Sequence, residues 1–277
     1  MRIGFHCVAR MMPPLLVCVA CAMCHETFSA EWKAHVGDYD FKNDTYALRV
    51  TPAGDILNLE FNEVRVLGRA CVWGMTQDEQ GRQVKLKAVE KNPVIEIKRE
   101  DNLTSIKASG RIRGENGADL ENCAVFEVEA ICHPERIEFQ YKLTTLKMMT
   151  FAQRVPFCVV AYAPVDSFAG KPLEVINAQG SLAVLEVKQK FEKIQYQTNN
   201  LQSFSFVLDN GKIEFASGDD HGREARMSIC DGREWKGNNL EISIMPLLPV
   251  SRMPDGIVNY PVGQVFKWSY RIHFTQF

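Results

Sequence analysis

The chain lacks most of the signatures that would announce a chemistry. It has no G-x-S-x-G nucleophile elbow and no glycine-rich phosphate cradle leading into a helix. Helical periodicity is almost missing. Positive charge is not in excess: 32 Lys and Arg face 34 Asp and Glu, a net charge of -2. That balance argues against a nucleic-acid partner, which needs a basic face to displace counterions. No Gly/Ser or Pro linker, low-complexity tract or internal repeat divides the 277 residues. Beyond residue 30, no apolar run approaches the roughly 20 residues of a membrane span.

Cysteine is plentiful, with nine in all, but not where it would build a scaffold. Cys7, Cys18, Cys21 and Cys24 lie in the first thirty residues. The remaining five are Cys71, Cys123, Cys132, Cys158 and Cys230. Five is an odd number, so at least one is unpaired. None of the five forms a C-x-x-C pair, which leaves a structural zinc site without support. Most sit among apolar strand residues, where a thiol packs as a small hydrophobe.

The first thirty residues stand apart. Arg2 and Arg10 supply charge, Met11 to Cys24 is mostly apolar, and the stretch ends in Ser29-Ala30. This order is that of a secretory signal peptide at 1–30, cleaved after Ser29 or Ala30. It predicts a secreted or periplasmic protein with no further transmembrane segment. A lipid anchor on Cys18, Cys21 or Cys24 is the second alternative.

The rest of the chain reads as strand after strand. Arg136 to Leu143 alternates polar and apolar without a slip, the period of a strand with one buried face. Ala124 to Cys132 alternates likewise, with Phe126, Val128, Ala130 and Cys132 on its apolar side. Arg154 to Tyr162 is nearly all apolar, as expected of a strand covered on both faces. In Val265 to Phe274, Phe266, Trp268, Tyr270, Ile272 and Phe274 share one face, so the last strand is integral to the core. Asp209-Asn210-Gly211 is a strong hairpin signal. Only Leu143 to Ala152 admits a short helix or an irregular crossing. The sum predicts an all-β protein, a large antiparallel two-sheet sandwich with 31–277 as one domain. Two half-sandwiches joined near Asp166–Pro172 is the alternative. Phe139, Tyr141, Phe157, Trp268 and Phe274 are the expected core.

Polar residues concentrate in two loops that flank the strand Ala225 to Cys230. The first holds Asp219, Asp220, His221 and Arg223; the second holds Asp231, Arg233 and Trp235. Carboxylates and guanidinium groups make directional hydrogen bonds to hydroxyls, and an indole face stacks on a sugar ring. These residues, with Trp73 beside Gly74, are the candidate glycan-binding set. The alternative is a pair of solvated turns. Asp219-Asp220-His221 does not predict a metal site, because adjacent side chains on an extended chain point apart. No cofactor is implied. His133 with Glu135 has the ingredients of acid–base catalysis, but His133-Pro134-Glu135 reads better as a turn.

The segment from Asn43 to Leu59 runs through Tyr46-Ala47-Leu48-Arg49-Val50 and Pro52-Ala53-Gly54 to Ile56-Leu57-Asn58-Leu59. It resembles the opening hairpin of galactose mutarotase-like supersandwich proteins. That resemblance implies a large antiparallel sandwich and carbohydrate recognition. Catalytic members use a histidine acid and a glutamate base, and neither role transfers onto a residue here. Three functions stand as expectations. The first is an exported, non-catalytic carbohydrate-binding protein. The second is a hydrolase, lyase or epimerase-like enzyme acting on carbohydrate. The third is a structural protein of the cell envelope.

Overall fold

The structure, a computed structural model, describes residues 32–35, 37–78, 80–100, 103–115, 122–151, 157–191, 197–218, 225–247 and 258–277. The expected signal segment lies outside them. So do Asp219, Asp220, His221 and Arg223 of the first polar loop. Strands make up 71% of the structure and helix 4%, so the protein is all-β.

The chain opens with an antiparallel meander of β1 (Trp32–His35), β2 (Asp38–Lys42), β3 (Tyr46–Val50), β4 (Ile56–Phe61) and β5 (Val64–Leu67). Gly54 closes the turn between β3 and β4 at φ +77°, and a Cβ there would meet Cβ of Val128 at 3.0 Å. Only glycine serves both the positive φ and that close approach. The long strands come next: β6 (Arg69–Gln77), β7 (Gln83–Glu100), β8 (Leu103–Gly114), β9 (Ala124–Cys132) and β10 (Arg136–Thr145). After them stand β11 (Met149–Phe151), β12 (Phe157–Pro164), the single turn α1 (Val165–Phe168), β13 (Pro172–Asn177) and β14 (Leu182–Glu186). The chain ends with β15 (Gln197–Leu208), β16 (Gly211–Ser217), β17 (Ala225–Asp231), β18 (Asn239–Pro246), β19 (Val258–Tyr260) and β20 (Val265–Gln276).

Among the described residues, hydrogen bonding joins 18 of these strands into one sheet, while β11 and β19 pair only with each other. It runs unbroken round a closed circuit of 11 strands, in the order β6, β7, β8, β9, β10, β20, β16, β15, β17, β18, β12 and back to β6. The all-β expectation holds, and the hydrogen bonding of this barrel-like circuit does not by itself mark off the two layers of the expected sandwich. Alternation identifies strands and their buried faces, but it does not show where a sheet bends round to meet itself. β15 makes one such corner. Its first half pairs with β17 and its second with β16 and β13, and the register shifts near Asn200, which sits at φ 59°. Closure removes edges that would otherwise invite pairing with another chain.

One local expectation is corrected, and two further segments show how their strands are interrupted. Leu143 to Ala152 forms no helix over its described residues: β10 runs to Thr145 and β11 begins at Met149. The apolar run from Val64 to Trp73 is two strands, broken where Gly68 N–H donates to the Tyr162 carbonyl at 2.9 Å. Asn92-Pro93 does not end a strand, because a register shift between Val89 and Val94 absorbs it within β7. The segment expected as a strand at Phe191 to Tyr196 lies almost wholly outside the described residues.

The expected core is present. Phe139, Tyr141, Phe157, Trp268 and Phe274 are all at most 3% exposed. Tyr141 stacks on Trp268 with ring centres 5.1 Å apart, and Phe139 on Tyr270 at 4.9 Å, across the β10–β20 register. His133 is part of a turn: its N–H donates to the Arg136 carbonyl at 2.9 Å, and its own carbonyl accepts from the Tyr46 hydroxyl at 2.7 Å.

Candidate functional site

Four neighbouring strands, β6, β12, β18 and β17, bury one set of side chains in the core and turn the other outward. In β6 the inward set is Ala70, Val72, Gly74 and Thr76, and the outward set includes Arg69, Cys71 and Trp73. In β12, Cys158, Val160 and Tyr162 face outward; in β18, Glu241, Ser243 and Met245; in β17, Arg226, Ser228 and Cys230. Most of these outward residues are only half-buried, although they are ionisable, hydroxylated or aromatic.

The register assembles them into rows. Arg69, Tyr162, Glu241 and Cys230 form one row, and Cys71, Val160, Ser243 and Ser228 the next. Trp73 and Cys158 lie opposite each other in a third, with Met245 and Arg226 paired at its far side. Residues two apart on a strand stand roughly 7 Å apart and neighbouring strands about 4.8 Å, so the patch measures roughly 14 Å each way.

Electrostatics tie the patch together. Burial raises the Glu241 carboxyl above its ordinary range, with no compensating partner. Burial likewise pushes the Cys158 thiol to about 12, with help from Cys71 and Glu241. Cys230 rises to about 11, through burial and then Glu241. Cys71 rises to about 11, through burial and then Asp55, with Arg69 opposing. The Tyr162 phenol is raised by burial first and Glu241 second. Such a concentration of perturbed groups on one face is where ligand chemistry is expected. All five cysteines beyond residue 30 are free thiols, so no disulfide covers the face.

The second polar loop sits at one end of the patch. Asp231 comes directly after Cys230 and leads into a 3-10 turn, Gly232–Trp235. Trp235 is exposed at 57%. Asp231 and Arg233 are brought together, but on each other. Asp231 Oδ1 accepts from Arg233 N–H at 3.1 Å and Nε at 2.8 Å, and Oδ2 accepts from Nη2 at 2.6 Å. Arg233 Nη1 also donates to the Gln189 carbonyl at 2.9 Å, and its guanidinium lies over the Phe191 ring. This is the bidentate pairing that fixes a turn. Trp73 lies toward the other end of the same patch, opposite Cys158. Among the described residues no histidine stands on this face, and no group of three or more His, Cys, Asp or Glu could hold a metal ion.

Arg69, Tyr162 and Glu241 do not stand out in the sequence. Arg154 to Tyr162 reads as doubly covered because Cys158 and Val160 are themselves apolar. The signal that would find Tyr162 and Glu241 is a polar group in the off-phase of an otherwise apolar strand. It needs the register of the neighbouring strands before it means anything.

No protein-family model and no curated protein sequence matches the chain. Solved structures do. A galactose mutarotase-like protein from Clostridium acetobutylicum superposes with a TM-score of 0.55 at 6% identity, covering 91% of this chain and 99% of that one. A galactose 1-epimerase from Lactobacillus acidophilus NCFM gives 0.52 at 8% identity, covering 90% and 99%. A galactose mutarotase related enzyme from Lactobacillus acidophilus gives 0.51 at 13% identity, covering 86% and 97%. The fold is therefore galactose mutarotase-like. No helix among the described residues is long and apolar enough to cross a membrane.

Proposed function

We propose that this is an exported carbohydrate-binding protein that holds a small sugar on the outward face of β6, β12, β18 and β17 without transforming it. The observation that carries the reading is the composition of that face. Trp73 offers a ring for stacking, Ser228 and Ser243 offer hydroxyls, and Arg69, Tyr162 and Glu241 offer directional donors and acceptors. Neighbours of the same fold bear names of galactose epimerases and mutarotase-like proteins, which supports a sugar as the ligand class. Export rests on the charge, apolar and small-residue order of residues 1–30.

Binding is favoured over turnover by the proton inventory. Opening and closing a sugar ring needs an acid and a base that both exchange protons near neutrality. Glu241 is suited to accept a proton. Its ionisable neighbours are a raised phenol and thiols at about 11 to 12, which hold their protons too tightly to act as efficient acids. The Glu241–Tyr162 cross-strand pair favours the second reading, a slow epimerase with Glu241 as base and Tyr162 as acid.

Calorimetric titration with glucose and galactose, alongside magnetisation-exchange NMR of their anomers, separates the readings. Trp73→Ala should weaken sugar binding at least tenfold, as expected for loss of about 1.4 kcal/mol of stacking. The anomer exchange rate should not rise above buffer. Exchange that rises with wild-type protein and vanishes in Glu241→Gln would establish the enzyme instead. Absence of binding to any sugar would leave the structural role.

Glu241 also makes a pH prediction. Its folded pKa lies above the unfolded one, so its neutral form is favoured by folding. The stability it confers is full below the ordinary carboxylate range and lost as pH climbs through the folded pKa. Glu241→Gln should match wild type in urea midpoint at pH 4 and exceed it at pH 8. Equal midpoints at both values would show that the carboxyl is not desolvated.

A further inference from the structure

We propose a second glycan-binding site, separate from the first, in a groove across the outer face of the β2–β3–β4–β5 meander, taking a neutral oligosaccharide longer than a disaccharide. Two depressions of about 620 and 600 Å³ adjoin there and share Lys42, Ala47 and Glu60. Each falls within the roughly 300–1,000 Å³ of ligand pockets, and together they make an elongated site. Their origin is visible in the register. Lys42, Ala47, Glu60 and Arg65 form one row across the four strands, and Asp40, Arg49 and Asn58 the next. Ala47 is the one short side chain among long ones, so it floors a notch between them. Register shifts beside Arg49–Val50 and Leu59–Glu60 mark β-bulges at the same place. Bulges re-aim side chains and gather beside functional sites.

The chemistry of the lining selects the ligand. Arg49 is tied to Asp40 by bonds of 2.6 and 3.0 Å, which cancels both charges. Lys42 and Arg65 are exposed and, among the described residues, pair with no carboxylate. Glu60, Asp44 and Glu63 line the same groove with the opposite sign, so a polyanion is disfavoured. The strand backbones beneath are already paired on β3 and β4, so an extended peptide finds no ladder to join. What fits is a chain of hydroxyls, each able to donate to a carboxylate and accept from an ammonium or guanidinium group. One acceptor lacks a donor: Asn58 Oδ1 is buried without a hydrogen bond, while its Nδ2 donates to Glu60 Oε1 at 2.6 Å. Rotation of that amide toward the groove would present the oxygen to a ligand hydroxyl.

The test is calorimetric titration of the full protein with malto-, cello- and manno-oligosaccharides of two and six units, a hexagalacturonate and a proline-free hexapeptide. One neutral hexamer should bind at least tenfold more tightly than its dimer. Ala47→Tyr, which fills the notch from the solvent side, should abolish that preference while the thermal midpoint stays unchanged. Lys42→Ala gives a second measure of the same loss should the tyrosine variant fold poorly. Trp73→Ala should leave hexamer binding intact, which keeps this site distinct from the sheet-face site. The proposal is overturned if no neutral hexamer binds, if binding survives both meander variants, or if the galacturonate or the peptide binds more tightly than every neutral hexamer.

Discussion

Trp268→Ala should lower the folding stability by about 3–5 kcal/mol, the cost of removing a large aromatic from a closed site. Trp268 is fully buried in the first half of β20, stacked on Tyr141 of β10. Tyr141 in turn stacks on Tyr270 at 6.0 Å, and Tyr270 on Phe139. The indole is therefore one member of an aromatic ladder that spans the two strands. Its loss opens a cavity that flat rings on both neighbours cannot collapse to fill. The indole Nε1 is buried with no hydrogen-bond partner, so Trp268→Phe removes an unsatisfied donor and should cost less than the alanine change. Chemical denaturation of the three proteins checks the order: wild type and phenylalanine close together, alanine far below. A wild-type midpoint for the alanine variant would show that β20 is not paired with β10 in this register.

That register is readable because two long strands alternate cleanly. Arg136 to Leu143 and Val265 to Phe274 each announce a buried face, and Tyr141↔Trp268 falls into place once they are paired. His133-Pro134-Glu135 announces its turn through proline. Anything that depends on which strands become neighbours stays hidden. The closure of the circuit through β12, β6 and β18 is a long-range choice with no local signal. The candidate face inherits that difficulty. Trp73, Tyr162 and Glu241 come from three strands far apart in the sequence and meet only through the register. The loop at Asp231 shows the opposite failure. Its carboxylate, guanidinium and indole are adjacent in sequence and suggest one ligand clamp, yet two of the three are engaged with each other.

The second large effect lies in that loop. Asp231→Ala should destabilise the protein by about 3–5 kcal/mol, the usual cost of removing one partner of a buried ion pair. Asp231 and Arg233 side chains are only 2% and 10% exposed. Removal of the carboxylate takes the bidentate partner from the guanidinium, which keeps its bond to the Gln189 carbonyl and its place over the Phe191 ring. It also removes the cap on the Arg233 N–H at the start of the 3-10 turn, worth about 1 kcal/mol where such caps have been deleted. The double variant Asp231→Ala with Arg233→Met should recover part of the loss, because it removes the buried charge together with its counter-ion and keeps the aliphatic packing. A ligand-contact role predicts something different: a single variant of unchanged stability with weakened sugar binding. Denaturation midpoints and sugar titrations of the single and double variants together decide whether this pair grips a ligand or fixes the turn that carries Trp235.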